Sequence, residues 1–185
     1  MAAIAHQPHL WTRAEYERLI ETGGLHPDAR LELIDGEILD VAAQKSRHST
    51  AVQLVNDVLR NVFVTGFTVR SQLPLALDDY SEPEPDVAVV IGATRDYRDA
   101  HPGTALLIVE VADSSLTFDR GRKLALYARN GIEDYWILDV QAESLEVYRE
   151  PLGDHYRQRQ VLGTGDGIAP LHATDTAISV ADLLP

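Results

Sequence analysis

The chain has no cysteine. That excludes disulfides, thiolate zinc sites and a cysteine nucleophile, and it fits a reducing compartment. Positive charge is scarce as well: 16 Lys and Arg stand against 29 Asp and Glu, a net charge of −13 over 185 residues. Proteins that coat nucleic acid neutralise phosphates with Lys and Arg, so this balance argues against a DNA-coating protein. It leaves room for an enzyme that meets nucleic acid through a local basic patch, a metal ion or a partner. No apolar run reaches the length needed to cross a bilayer. The opening "MAAIAHQPHLWT" lacks the basic stretch and long apolar run of a secretory signal. The expected location is the cytoplasm. Internal repeats, long linkers and low-complexity segments are missing too.

What is present is an ordinary globular composition, 45% hydrophobic and 24% charged, at a length that suits one domain. Residues 1–11 read as a flexible tail, with His6 and His9 three apart and solvated, and residues 12–185 as the domain. "WTRAEYERLIET" reads as a helix in which Thr12 caps, Glu15 completes the capping pair and Gly23-Gly24 stop it. "RLELIDGEILDVA" has an Asp35-Gly36 turn between two alternating arms, a strong hairpin signal. From Ser46 to Phe63, Val52, Val55, Leu59 and Val62 recur at helical spacing.

"FTVRSQLPLAL" alternates as a strand, and the acidic loop "DDYSEPEP" leads into the strand "DVAVVI". "ALLIVEVA" (105–112) is an apolar run of strand length, covered on both faces. A helix follows from Asp119 to Asn130, then the strand "DYWILDV". "ESLEVYRE" and "HYRQRQVL" make an antiparallel pair joined near Gly153, and "TAISVADLLP" is a short docking segment. "GTGDG" lies between strand-like segments and reads as a turn, not a phosphate cradle. The order from 46 to 140 is helix, three strands, helix, strand, flanked by two hairpin-like additions: an α/β fold.

Some polar residues do not suit their surroundings. Glu110 is the only charge in "ALLIVEVA" and shares a strand face with Leu106, Ile108 and Ala112. It either pairs with an arginine, reaches solvent at a sheet end, or is kept for chemistry. Asp86, at the mouth of "DVAVVI", is either a turn residue or a retained charge, while Glu82 and Glu84 read as loop residues. The two strands follow one another in the chain, so their carboxylates can meet. Two like charges that close are unfavourable unless one is protonated or a cation lies between them, and Mg²⁺ is held by one or two carboxylates plus waters and phosphates. In the next helix Asp119 and Lys123 stand four apart with Tyr127 a turn beyond. Lys123 is either half of a helix-surface pair with Asp119 or reaches over the sheet toward Glu110.

At these residues the sequence resembles a known family. "LELIDGEI", "SEPEPDVAVV", "LLIVEVADSS" and "DRGRKLALYARNGIEDYWILDV" look like the Uma-type "putative restriction endonuclease" family, a domain of unknown function in the PD-(D/E)XK nuclease superfamily. The likeness covers roughly residues 12–150. It implies a restriction-endonuclease-like mixed sheet with a helix–three strands–helix–strand core, an N-terminal helix and hairpin, and C-terminal antiparallel strands. It makes Asp86 the motif aspartate and Glu110 the motif acid. The superfamily's lysine two residues after that acid is here Ala112, and the matching residue of the Uma-type pattern is Lys123 on the next helix. Glu32 and Gln72 recur too: Glu32 is either another acidic group of the site or a solvated hairpin residue. Gln72 is either a water-mediated metal contact or a strand hydrogen-bonder. His48 occupies a recurring position that capping or packing explains as well.

The implied function is metal-dependent hydrolysis of a phosphodiester, with DNA as substrate, Mg²⁺ or Mn²⁺ on Asp86 and Glu110, and Lys123 positioning the attacking water. One competitor is a catalytically silent interaction module on the nuclease fold; another is an enzyme acting on RNA or small phosphoesters. An exposed strand edge makes a homodimer a further expectation. A Ser–His–Asp hydrolase finds no support, since "ADSS" is not a nucleophile elbow.

Overall fold

The computed structural model describes residues 7–26, 28–41 and 43–185; His6 and the start of the 1–11 segment lie outside them. Helix α1 (Arg13–Glu21) begins with the expected capping box, Thr12 and Glu15 each accepting from the other's backbone. Strands β1 (Leu31–Ile34) and β2 (Glu37–Asp40) form the hairpin. Its turn residues Asp35 and Gly36 both have positive φ, 53° and 77°, as a two-residue hairpin of this twist requires. The Trp11 N–H donates to Gly36 O, so the chain just before α1 lies against that turn.

Helix α2 (Ser46–Val62) leads into β3 (Phe67–Ser71), β4 (Val87–Ile91) and β5 (Leu107–Ala112). Next comes a helical rod made of α3 (Leu116–Phe118), a π turn (Asp119–Lys123) and α4 (Leu124–Arg129). Then follow β6 (Asp134–Asp139), β7 (Ser144–Leu152) and β8 (His155–Gly163). These six strands form one mixed sheet in the order β3-β4-β5-β6-β7-β8, antiparallel except where β5 and β6 run parallel across the rod. A two-residue pair, β9 (Gly167–Ile168) and β10 (Ile178–Ser179), closes the chain with a 3₁₀ turn at Val180–Leu183.

Every residue of β5 is buried, as its unbroken apolar run requires of a strand covered on both faces. On one face Val109 and Val111 share a buried cluster with Val52, Val55 and Leu59 of α2 and with Ile178, Val180 and Leu183 of the C-terminal segment. On the other, Ile108 and Ala112 join Leu126 and Tyr127 of α4 with Tyr135 and Tyr148. Glu110 belongs to this second face.

Two elements depart from the sequence-based expectation. The strand through "FTVRSQLPLAL" ends at Ser71, because Gln72 takes a positive φ of 52° and Pro74 lacks the N–H that a ladder needs. The helix placed at Asp119–Asn130 begins instead at Leu116 and contains a π turn. There the Leu124 N–H reaches back five residues to Asp119 O.

Candidate active site

Three strand ends align to make the floor of the site. In the register of β4 on β5, Val87 faces Val109, which sets Asp86 opposite Glu110. In the register of β3 on β4, Ser71 faces Val87, so Gln72 stands beside Asp86. The contacts follow: Val111 N–H donates to Asp86 Oδ2 at 2.9 Å, and Gln72 Nε2 donates to Asp86 Oδ1 at 3.1 Å. Asp86 N–H points at Glu110 Oε2, 3.4 Å away.

Four other elements close over this floor. From the first turn of α2, His48 Nε2 donates to Asp86 Oδ2 at 3.1 Å. From the π turn, Lys123 Nζ donates to Glu110 Oε1 at 3.0 Å and lies 3.4 Å from Glu32 Oε2 on β1. Tyr127 of α4 donates its hydroxyl to the same Glu110 oxygen at 2.6 Å. Glu32 Oε2 also accepts from Glu84 N–H at 3.3 Å, which ties the hairpin to the loop before β4. The hairpin meets that loop again where Leu33 and Glu82 exchange backbone hydrogen bonds.

Asp86, Glu110, Lys123, Glu32, Gln72 and His48 thus all line one cavity of about 370 Å³. Glu110 and Lys123 pair with each other in the interior, 3% and 7% exposed, and Glu110 meets neither an arginine nor bulk water. Glu32 is buried at 6% and is no solvated hairpin residue. Asp119 and Lys123 do not form a surface pair, because both are buried. Glu84 and Glu82 are more than loop residues: Glu84 lines the cavity and Glu82 is buried beneath α1. In the sequence Asp119 and Tyr127 stand out only as helix neighbours of Lys123, and nothing there signals His48's bond to Asp86. The period-four run of Asp119, Lys123 and Tyr127 was the signal for the first two.

The cavity is short of positive charge. Seven carboxyl groups line it, Glu32, Asp40, Glu84, Asp86, Glu110, Asp113 and Asp119, against Arg30, Lys45 and Lys123. Burial pushes Glu110 up to about 8, Lys123 pulls against this, and the charges of Asp86 and Asp119 add to it. Burial likewise raises Asp119 to about 6 against the pull of Lys123 and Ser115. For Asp86 burial acts upward, yet the bonds from His48 and Val111 outweigh it and hold the carboxylate below its usual range. The hydrogen bond to Asp86 in turn raises His48. Burial lowers Lys123, but Glu110, Glu32, Asp119 and Asp86 together carry it well above the ordinary lysine value. The ammonium stays charged.

Among the described residues no group of three or more His, Cys, Asp or Glu side chains is arranged to hold a metal ion. A pair of carboxylates is arranged differently, since Mg²⁺ keeps several waters and needs only one or two protein oxygens. Among the described residues Asp86 Oδ1 has a single protein donor, Gln72, and Glu110 Oε2 has only the long contact from Asp86 N–H. Each keeps an open lone pair. Hard oxygen donors in a cavity with surplus negative charge fit a divalent cation.

A six-stranded mixed sheet flanked by helices and small hairpins, with its charged residues gathered at three strand ends, is a mixed α/β fold of known kind. It is similar to the crystal structure of a putative nuclease belonging to DUF820 from Anabaena variabilis ATCC 29413, with a TM-score of 0.72 over 93% of this chain and 96% of that one. The two are 17% identical, so the likeness is one of fold. The chain itself belongs to the Uma2 family, "Putative restriction endonuclease", whose model matches residues 13–181. No curated protein matches it. Among the described residues no helix is long and apolar enough to cross a membrane.

Proposed function

We propose that this protein is a metal-dependent phosphodiester hydrolase, a DNA endonuclease of the PD-(D/E)XK type with its lysine on a helix. One observation carries the reading. Position 112, where that pattern has a lysine, holds a buried alanine, yet an ammonium still meets the motif acid, because Lys123 Nζ lies 3.0 Å from Glu110 Oε1. The lysine has changed element and kept its partner.

Asp86 and Glu110 would hold Mg²⁺ or Mn²⁺, which supplies Lewis-acid polarisation of a phosphoryl oxygen and acidifies a water. The chain's own groups do the rest. Gln72, His48 and Val111 N–H fix Asp86 as a carboxylate at the strand mouth. Tyr127 and Lys123 fix the Glu110 head from the other side. Because Lys123 stays protonated, it cannot take a proton from water; it orients the nucleophile and offsets charge that builds on the phosphate.

The test is nicking of supercoiled plasmid DNA in Mg²⁺ or Mn²⁺, alongside calorimetry with Mn²⁺. Wild-type protein should cut and take up the ion, and Asp86→Ala, Glu110→Ala and Lys123→Ala should not cut. Full cutting by Glu110→Ala would sink the assignment. A second reading, an enzyme for single-stranded RNA or small phosphoesters, is favoured by the cavity itself. Its volume of about 370 Å³ lies at the lower end for ligand sites, and its charged groups are recessed. Turnover of those substrates without plasmid cutting selects it. The silent module is selected by absence of Mn²⁺ uptake at neutral pH.

A further inference from the structure

Hydrolysis needs a group to receive the proton of the attacking water, and most groups in the cavity are unsuited. Lys123 is held as a cation by four carboxylates. Asp86 and Glu110 are the two groups that would hold the cation, and Glu32 is tied through Oε2 to Lys123 and Glu84 N–H. His48 turns Nε2 to Asp86, and its Nδ1 is sealed from solvent. Glu84 lies toward the hairpin, its N–H on Glu32 and its charged neighbours Glu32, Arg30 and Lys123.

Asp119 differs from all of these. It lines the cavity at 2% exposure, on the same π turn that delivers Lys123. Among the described residues its side chain has one protein partner, Ser115, whose hydroxyl donates to Oδ2 at 2.5 Å. No protein donor reaches Oδ1 among the described residues, and that oxygen is not sealed off. The charges of Asp86, Glu32 and Lys123 act on Asp119, and Asp119 acts on Glu110 and His48, so it shares one electrostatic neighbourhood with the two proposed metal ligands. Tyr135 anchors its backbone by donating to Asp119 O at 3.0 Å.

Resting on the hydrolase reading, we propose that Asp119 is the general base of this site. In the step, the water oxygen bonds to phosphorus while the phosphorus–ester oxygen bond breaks, and the water proton passes to Asp119 Oδ1. The departing alkoxide takes a proton from solvent at the cavity mouth, and Asp119 releases its own to solvent after the products leave. Burial raises the Asp119 carboxyl to about 6, toward the range in which a base works at neutral pH. A cation on Asp86 and Glu110 would draw it lower.

The test is the pH–rate profile of plasmid cutting in wild type, Asp119→Asn and Ser115→Ala, with Mn²⁺ calorimetry on each. Asp119→Asn should lose on the order of 10²–10⁴-fold in kcat, lose the acid limb of the profile, and keep Mn²⁺ uptake. Ser115→Ala removes a bond that favours the carboxylate, so its acid limb should move to higher pH; a purely structural role would leave that limb in place. In metal-free protein, an infrared carboxyl band that titrates near pH 6 should be missing from Asp119→Asn. The proposal is overturned if Asp119→Asn keeps wild-type kcat and acid limb, or if it loses Mn²⁺ uptake and so proves a ligand. If wild type cuts nothing, the hydrolase reading falls and this proposal with it; an active wild type with an active Asp119→Asn removes this proposal alone.

Discussion

Two centres of buried carboxylate sit in this fold, and they are built on opposite terms. Toward the β7–β8 side of the sheet, Glu146 is 1% exposed and accepts from Arg120, Arg159 and the Tyr148 hydroxyl. Asp134, fully buried, accepts from Trp136 Nε1 at 2.7 Å, from Arg149 at 2.9 Å and from Leu171 N–H at 2.9 Å. Each acid there has an arginine of its own. In the cavity at the ends of β3, β4 and β5, Glu32, Asp86, Glu110 and Asp119 all act on one buried cation, Lys123. Burial acts upward on Glu146 as well, but its arginine and tyrosine bonds win and hold it below its usual range, whereas Glu110 is pushed up to about 8. Burial alone does not mark a functional carboxylate. Burial without enough compensating charge is what sets the proposed site apart.

The sharpest way to break the contrast is to neutralise one acid in each centre. Glu110→Gln should reduce DNA cutting by on the order of 10³-fold or more, while the fold holds, because Gln keeps the shape of a carboxyl whose charged form burial already disfavours. Asp134→Ala should do the reverse. It leaves Arg149, Trp136 Nε1 and Leu171 N–H without their acceptor, a loss of about 3 kcal/mol. The corresponding fall in Tm is roughly 6–12 °C at this chain length, and cutting per folded molecule should not change. Calorimetric melting beside a single-substrate nicking assay separates the two.

The pH dependence of stability should also split by centre. Glu110 and Asp119 hold protons more tightly in the folded state than in the unfolded one. Their contribution is therefore complete at low pH and is lost as pH rises from about 4, the ordinary carboxylate value, toward about 8. Glu82, raised by burial to about 7, adds to the same slope. Glu146, held down, contributes above its ordinary value, and that contribution is lost as pH falls through its folded one. Metal-free protein should melt highest near pH 5 and lower at pH 8.5. Glu110→Gln should flatten the alkaline side only; an unchanged alkaline slope in that variant would contradict the assignment.

The smallest effect concerns Gln72. Gln72→Ala removes one bond to Asp86 and should cost about tenfold in cutting, with little change in Tm. Gln72→Gly eases the positive φ, so it should melt slightly higher than Gln72→Ala and cut no better.

Local chemistry was legible in the sequence, and distant chemistry was not. Thr12 with Glu15, and Asp35 with Gly36, announce a helix start and a hairpin within four residues of chain. Glu110 and Asp86 stood out because each is a lone charge on an apolar strand. The burial of Glu32 was hidden, since it depends on Glu84 52 residues further on and on Lys123 in a helix still later. His48 was hidden for the same reason, its partner Asp86 being 38 residues away. Nothing in "DRGRKLALY" distinguishes a π turn from an α turn, because the side chains suit both.

That π turn makes the rod carry one residue more than a regular helix would need over the same span. A helix turns about 100° per residue, so an extra residue wound as plain α-helix would swing everything after it round by that angle; the π turn absorbs the residue and lets both Asp119 and Lys123 line the cavity.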